Sequence, residues 1–340
     1  MLERAEALLK FESVQRWLSY VAAERFGERA STNHTYLRFL EEFCRFAGKT
    51  PDKLIAERQR ESKSEDEMER RKHEEMAMSF VNFLVQERKL APGSARLALA
   101  AVRSFYKHNY SPLVLRGPRL GWKVRTKRPP TREELRNLVK VASTPLHGAI
   151  IIFLSQTGMS ISDALQVTYG QVAEQLEAGA SPVHLSVLRQ KTKVQYDTFF
   201  GGEASEALKE YLTSRPNIDG SEPLFPIGDR AVDHFLQLAS VRAGIDPTMS
   251  AHCLRKFFVT QLKMAGCNES LVEYWVGHKL AGSKEAYFIP SVEGQREVYR
   301  KYEASLSIGS EEKPSIDELR DMMSRFGGRE QLLKLISEVK

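Results

Sequence analysis

Four short stretches carry residues whose types and spacing could act on an anion. In AHCLRKFFVTQL, His252 and Arg255 stand three apart and so share one helical face. WVGHKLAGSKEAYF supplies His278 just after Gly277, a residue suited to ending a helix, with Tyr287 nine residues beyond that His. RQKTKV places Lys191 and Lys193 close together in a polar run. In IIFLSQTGMSISDALQV an apolar run breaks at Gln156-Thr157-Gly158 before Ser160 and Asp163. There Ser160-x-x-Asp163 reads as a capping box, with the Ser oxygen accepting from an orphan helix N–H. A helix opening after a Gly turn also presents free N–H groups to a phosphate. Taken alone, the cap is the stronger reading, and a lone His–Arg pair is more often a surface or capping pair.

The elements that must position these residues follow from periodicity. From Phe11 to about Ser111, SVQRWLSYVAAERF, NHTYLRFLEEFCRFAG, MAMSFVNFLVQERKL and PGSARLALAAVRSFYKHNY each repeat apolar residues at i, i+3, i+4 and i+7. This predicts a bundle of four or five helices. The mixed-charge stretch AERQRESKSEDEMERRKHEEM between the second and third reads as a polar loop and the solvated start of a helix. After it, RGPRLGWKVRTKRPPTR holds Arg116, Arg119, Lys123, Arg125, Lys127, Arg128 and Arg132 with no acid, two Gly and three Pro. An extended segment of like charge suits contact with phosphates ahead of a purely solubilising role.

A second domain begins at PTREELRNLVKVA, where Thr131 is an N-cap with Glu134 three residues on. SPVHLSVLRQKTKVQYDTFFG alternates apolar and polar residues on both sides of Gln190-Lys191-Thr192-Lys193, the signature of a hairpin. Helices return at EASEALKEYLTS, AVDHFLQLASVRAG, AHCLRKFFVTQLKMAG and ESLVEYWVG. The fold class is therefore mainly α with a small antiparallel β-sheet, an α+β second domain. The expected boundaries are a helical domain at 1–115, a basic linker at 116–130, the second domain at 131–305 and a helical tail at 306–340. That tail, with SIDELRDMMSRFG and REQLLKLISEVK, could cover its own domain or dock on a neighbouring subunit.

A length of 340 residues, 42% hydrophobic and 28% charged, fits two globular domains, and the net charge of +6 leaves an anionic partner to be decided by charge distribution. Cys44, Cys253 and Cys267 are too scattered for a zinc knuckle and too few for a disulfide framework, which predicts a reducing compartment. The N-terminus carries acids early, and no uncharged apolar stretch of spanning length occurs, so a cytoplasmic protein without a membrane partner is expected.

Taken together, His252-Cys253-Leu254-Arg255-Lys256, the Gly277-His278 pair and Tyr287 resemble the tyrosine recombinases, or phage-type integrases, which include Xer-like resolvases. The resemblance covers nearly the whole chain up to about residue 305. It implies a two-domain C-shaped clamp on double-stranded DNA, a homo-tetramer on paired recombination sites, no cofactor or metal, and association with the nucleoid. It further implies that Tyr287 attacks a DNA phosphodiester in line, leaving a 3′-phosphotyrosyl link and a 5′-hydroxyl. Arg255 would hold the phosphate with a planar fork. His252 would aid proton removal from Tyr287, and His278 would hydrogen-bond the phosphate. Lys191 would be the general acid to the leaving 5′-oxygen, with Lys193 the runner-up. Lys193, Lys256 and the six basic linker residues would contact DNA. Tyr274 reads as core, and Tyr299 and Tyr302 as packing or surface residues.

One position departs from the family. Its pattern T-G-x-R-x-S-[DE] is matched by Thr157-Gly158-Met159-Ser160-Ile161-Ser162-Asp163, except that Ser160 occupies the place of the first catalytic arginine. No Arg lies between Ile150 and Leu188 to replace it. A neutral hydroxyl cannot neutralise a phosphate, and the loss implies roughly a thousandfold or more in rate. An engineered substitution, a naturally degenerate recombinase and an enzyme recruiting another cation all fit. The intact neighbours favour the first. The expected function is therefore a site-specific recombinase impaired at Ser160. An inactive DNA-binding architectural protein of the same fold is the alternative, and a type IB topoisomerase the third option.

Overall fold

The computed structural model describes residues 6–24, 30–115, 128–189, 193–278 and 291–309. The chain divides into two compact units, Met1–Arg125 and Thr126–Lys340. As the pattern of elements predicts, the fold is mainly α-helical, with one two-stranded antiparallel sheet. Among the described residues no helix is long and apolar enough to cross a membrane.

The first unit opens with a short 3-10 turn at Ala7–Lys10, followed by α1 (Glu12–Glu24), α2 (Ala30–Ala47), α3 (Pro51–Glu61), α4 (Glu67–Gln86) and α5 (Pro92–His108). Helical spacing brings Trp17 of α1, Phe43 of α2, Phe80 of α4 and Phe105 of α5 into one core, all fully buried. Trp17 meets Phe105 edge-on with ring centroids 5.6 Å apart, and its indole N–H donates to Ser104 Oγ at 3.0 Å.

The mixed-charge stretch is more ordered than its composition predicts. Ala56–Glu61 ends α3, Glu67 begins α4 under an Asp66 N-cap, and only residues 62–66 form the turn. The reason is a buried ion pair that hydropathy patterns cannot register. Arg58 donates to both carboxylate oxygens of Glu74, at 3.0 and 2.7 Å, and to the Pro112 carbonyl at 3.2 Å. Two charged residues thus serve as the inward face of their helices.

The second unit begins with α6 (Arg132–Lys140), whose capping box forms as the sequence predicts. Thr131 Oγ1 accepts from Glu134 N at 3.1 Å, and Thr131 N donates to the Glu134 carboxylate at 2.8 Å. Next come α7 (Pro145–Thr157), the single turn α8 (Ile161–Ala164), a 3-10 turn (Tyr169–Gln171) and α9 (Ala173–Glu177). Strands β1 (Val183–Leu188) and β2 (Gln195–Phe200) pair in the register Val183 to Phe200 and Leu188 to Gln195. The predicted hairpin is therefore present. Its alternation turns Val183, Leu185 and Val187 inward. The remaining helices are α10 (Gly202–Leu212), α11 (Asp229–Arg242), α12 (Ala251–Met264), α13 (Glu269–Trp275) and α14 (Val292–Leu306).

α14 closes the unit over the hairpin. Tyr299 is fully buried against Phe199 and Trp275, and its hydroxyl donates to the Gln156 carbonyl at 2.9 Å. Leu306 and Ile308 enter the same core, and Glu203 accepts from Ile308 N at 3.0 Å. Packing therefore continues past residue 305, the expected end of the domain. Residues 310–340, most of the predicted tail, lie outside the described residues.

Candidate active site

The apolar α7 stops at Gly158, whose φ of +63° suits a residue without a side chain. A Cβ there would lie 2.3 Å from the Phe258 ring, so glycine is required sterically as well. The freed Gly158 carbonyl accepts from Arg255 Nη1 at 2.9 Å. Arg255 also donates through Nη2 to the Val276 carbonyl at 2.5 Å and stands 3.0 Å from His278 Nε2. It is the fifth residue of α12 and is 7% exposed. Burial, and then the nearby positive charge of Arg189, pulls its pKa down to about 10, so it remains a cation at neutral pH.

His278 is delivered by the helix stop that the sequence predicts. α13 ends at Trp275, Gly277 takes φ +68°, and His278 N donates to the Glu273 carbonyl at 3.0 Å. Its Nδ1 meets the Glu273 carboxylate. A neutral ring satisfies both contacts when Nδ1–H donates to Glu273 and Nε2 accepts from Arg255. Glu273 also accepts from Lys263 at 2.8 Å. Burial alone would raise the Glu273 carboxyl, but the hydrogen bonds from Lys263 and His278 hold it below its ordinary value. Arg255 and His278 therefore come together at one corner, the guanidinium donating and the imidazole Nε2 accepting.

Ser160 is the N-cap of α8, as expected. Its Oγ accepts from Asp163 N at 3.3 Å. The Asp163 carboxylate accepts the Ser160 hydroxyl at 2.7 Å. Asp163 is buried and also takes the Tyr196 hydroxyl at 3.4 Å.

The other expected site residues fall at different depths. His252 is exposed in the first turn of α12, and Lys256 is half-buried one turn further on. Lys193 is exposed in the hairpin loop with φ +54°, its N–H donating to the Arg189 carbonyl at 2.8 Å. Arg128 forms a two-pronged pair with Glu134, at 2.6 and 2.5 Å, which ties one basic linker residue to the α6 cap. Lys191, Tyr287, Arg116, Arg119, Lys123, Arg125 and Lys127 lie outside the described residues.

The other tyrosines near the C-terminus are structurally committed. Tyr274 is half-buried rather than core, and its hydroxyl donates to Asp197 at 2.8 Å. Tyr302 donates to the Gly266 carbonyl at 3.2 Å. Burial, and then Asp197, raises the Tyr274 phenol, and burial raises that of Tyr299 as well.

One cation in the corner escaped the sequence reading. Arg189 directly follows β1, one residue past the span searched for a replacement arginine, and it donates to the Gly277 carbonyl. The available signal was its position two residues before Lys191.

A mainly helical unit with one small hairpin, carrying Arg and His at a helix corner, has the catalytic-domain fold of the integrases. The solved lambda integrase(75–356) dimer bound to a COC′ core site shares it with TM-score 0.58 at 15% identity, over 82% of this chain and 97% of that one. So does the Tn1549 transposon integrase in complex with transposon right end DNA, with TM-score 0.56 at 14% identity, over 94% of this chain and 100% of that one. Residues 131–291 match the phage integrase family. Tyrosine recombinase XerD of Corynebacterium glutamicum is 29% identical over 161 residues, 45% of this chain and 51% of the relative. Tyrosine recombinase XerC of Leptospira interrogans serogroup Icterohaemorrhagiae serovar copenhageni is 25% identical over 244 residues, 66% of this chain and 76% of the relative. The aligned stretch thus spans about half the length of the first relative. Residues 131–291 therefore carry a phage integrase family domain, and the tyrosine recombinase relatives and the integrase structures agree with it.

Proposed function

We propose that this chain is a site-specific DNA recombinase that breaks and rejoins duplex DNA through Tyr287. The observation that carries the reading is the setting of Arg255. It is a buried guanidinium whose hydrogen bonds among the described residues go to two carbonyls and one imidazole, and to no carboxylate. A buried cation with no carboxylate among its hydrogen-bond partners favours an incoming anion, and a phosphodiester oxygen suits the guanidinium fork.

In the proposed reaction the Tyr287 oxygen bonds to phosphorus, the bond to the 5′-oxygen breaks, and a proton passes from the phenol to the surroundings. Lys191 returns one to the leaving oxygen. Arg255 and His278 hold the non-bridging oxygens as charge grows on them, with no reorganisation at the moment of reaction. His278 would hydrogen-bond the phosphate from this corner, while Glu273 keeps Nδ1 in place. His252 assists the phenol from the exposed face. The proposed substrate is a duplex recombination site, gripped by both units and joined to a second site in a homo-tetramer, with residues 310–340 as the exchanged segment.

A second reading is favoured by Ser160. A chain that keeps the fold and lacks the first arginine could bind DNA without cutting it. Duplexes selected from a random-sequence pool by gel shift, then nicked so that cleavage traps the protein, separate the two. A covalent adduct on denaturing gels that disappears in Tyr287→Phe is expected for the recombinase. Retained gel shift with no adduct, both in the unchanged chain and in Ser160→Arg, favours the architectural protein.

A further inference from the structure

We propose that Arg189 is the second phosphate-contacting guanidinium of this pocket, replacing from the β-hairpin the cation that Ser160 does not provide. The proposal rests on the recombinase reading and adds a catalytic residue to it.

The geometry starts with one carbonyl. Val276 O accepts from Arg255 Nη2 at 2.5 Å and from Arg189 Nη1 at 3.5 Å. The two guanidinium nitrogens can therefore be no further apart than those distances laid end to end. Arg189 Nη1 also donates to the adjacent Gly277 carbonyl, the residue that aims His278. Arg189, Arg255 and His278 thus converge on a corner of three successive residues, 276–278.

The corner is shaped to admit Arg189. A Cβ on Gly277 would stand 3.2 Å from Arg189 Cδ and 2.8 Å from the Tyr196 ring, so the absent side chain leaves the space the arginine crosses. Tyr196 in turn donates to Asp163, which holds the Ser160 hydroxyl. Contacts run from Ser160 through Asp163 to Tyr196, whose ring and Arg189 Cδ both border the space beside Gly277, and from Arg189 through Val276 and Arg255 to Gly158. The family's arginine position and Arg189 thus approach the same corner from two sides.

The charge balance calls for an anion. Neither guanidinium forms an ion pair with a carboxylate among the described residues. Arg189 Nε is buried and has no hydrogen-bond partner there. After burial, the proximity of Arg189 is the next cause of the depressed Arg255 pKa, so the two cations repel each other. Like charges this close, lodged against neutral carbonyls, are stabilised by a phosphate between them, and more so as its charge grows in the transition state. Neither arginine gains or loses an atom in the reaction. Both hold the non-bridging oxygens while the Tyr287–phosphorus bond forms and the bond to the 5′-oxygen breaks.

The test uses the full chain and nicked duplexes that it has selected by gel shift. The unchanged protein is expected to form the covalent adduct. Arg189→Ala is expected to slow adduct formation by roughly a hundredfold to a thousandfold, as for loss of a transition-state donor, with gel-shift midpoints moving less than about threefold. Adding Ser160→Arg to Arg189→Ala is expected to return at least about tenfold of the lost rate, since a guanidinium is then supplied from the other wall. An Arg189→Ala rate within about threefold of the unchanged protein overturns the proposal. So does a slowed rate that Ser160→Arg does not rescue and that comes with a lowered melting temperature, because the residue then only supports the corner. An unchanged protein that forms no adduct while Ser160→Arg does would overturn Arg189 as the replacement and leave the recombinase reading standing. Failure of both on DNA that both bind removes that reading as well.

Discussion

Each of the two units buries an arginine, and the two are accommodated in opposite ways. Arg58 is held in the first unit by both oxygens of Glu74, with side-chain exposures of 9% and 11%. Arg255 is as deeply buried in the second unit, but among the described residues its hydrogen bonds go only to carbonyls and an imidazole. Desolvating a charge is costly wherever it happens. In the first unit the fold itself cancels the charge, so the arginine is structural. In the second no hydrogen-bonded carboxylate among the described residues cancels it, which is the condition the proposed phosphate site calls for.

Removing each arginine or its partner should therefore fail in different ways. The largest effect is expected for Arg255→Ala. Covalent adduct formation should fall about a thousandfold to a hundred-thousandfold, or about 4–7 kcal/mol of barrier. Folding should survive, because no carboxylate is left stranded. Single-turnover rates on the selected nicked duplex, set beside a melting curve, check this. A loss of folding equal to the loss of rate would erase the distinction between the two arginines.

Next in size is Glu74→Ala. It strands the Arg58 charge in the core and deprives Val114 N of its 3.2 Å acceptor. Breaking a buried pair from one side costs about 3–5 kcal/mol. Urea unfolding followed through hydrogen exchange in α4 and α5 should register it, while residues of α7 and α12 keep their protection. Equal loss of protection in both units would mean that they unfold as one.

What the sequence displayed and what it hid divides along the same line. The Thr131 cap, the hairpin on both sides of residues 190–193 and the stop at Gly277 are local, because their partners lie within a few residues and the residue types state the geometry. Arg58 and Glu74 belong to different helices, and a pattern that scores charge as exposure assigns such residues to solvent. Arg189 meets Arg255 only because β1 and α12 converge on the 276–278 corner. Even Ser160, correctly placed as a cap, shows an exchange of partners with Asp163 that spacing alone does not specify.

The smallest of the three effects is acid sensitivity confined to the first unit. His73 is buried, with Nδ1 2.8 Å from the Tyr106 hydroxyl. Burial, and then Lys49 and Arg58, lowers its pKa to about 4. Glu57 pulls the other way, and Glu61 Oε2 stands 3.3 Å from Nε2, but neither restores the ordinary value. A histidine depressed in the folded state binds its proton more readily when unfolded. Its contribution is thus complete above pH about 6.5, declines as the pH falls, and is fully lost below about 4. The loss over that window is about 3 kcal/mol. Replacing His73 with Asn should flatten the difference in stability between pH 7 and pH 4 by that amount in α4 and α5, after subtracting the acid loss from carboxylates that both proteins share. His147 in the second unit is also lowered by burial, so the two units differ here in degree. If the His73→Asn protein loses stability with acid as steeply as the original, the cluster around Arg58 does not hold its histidine neutral. The self-neutralised character assigned to the first unit would then rest on Glu74 alone.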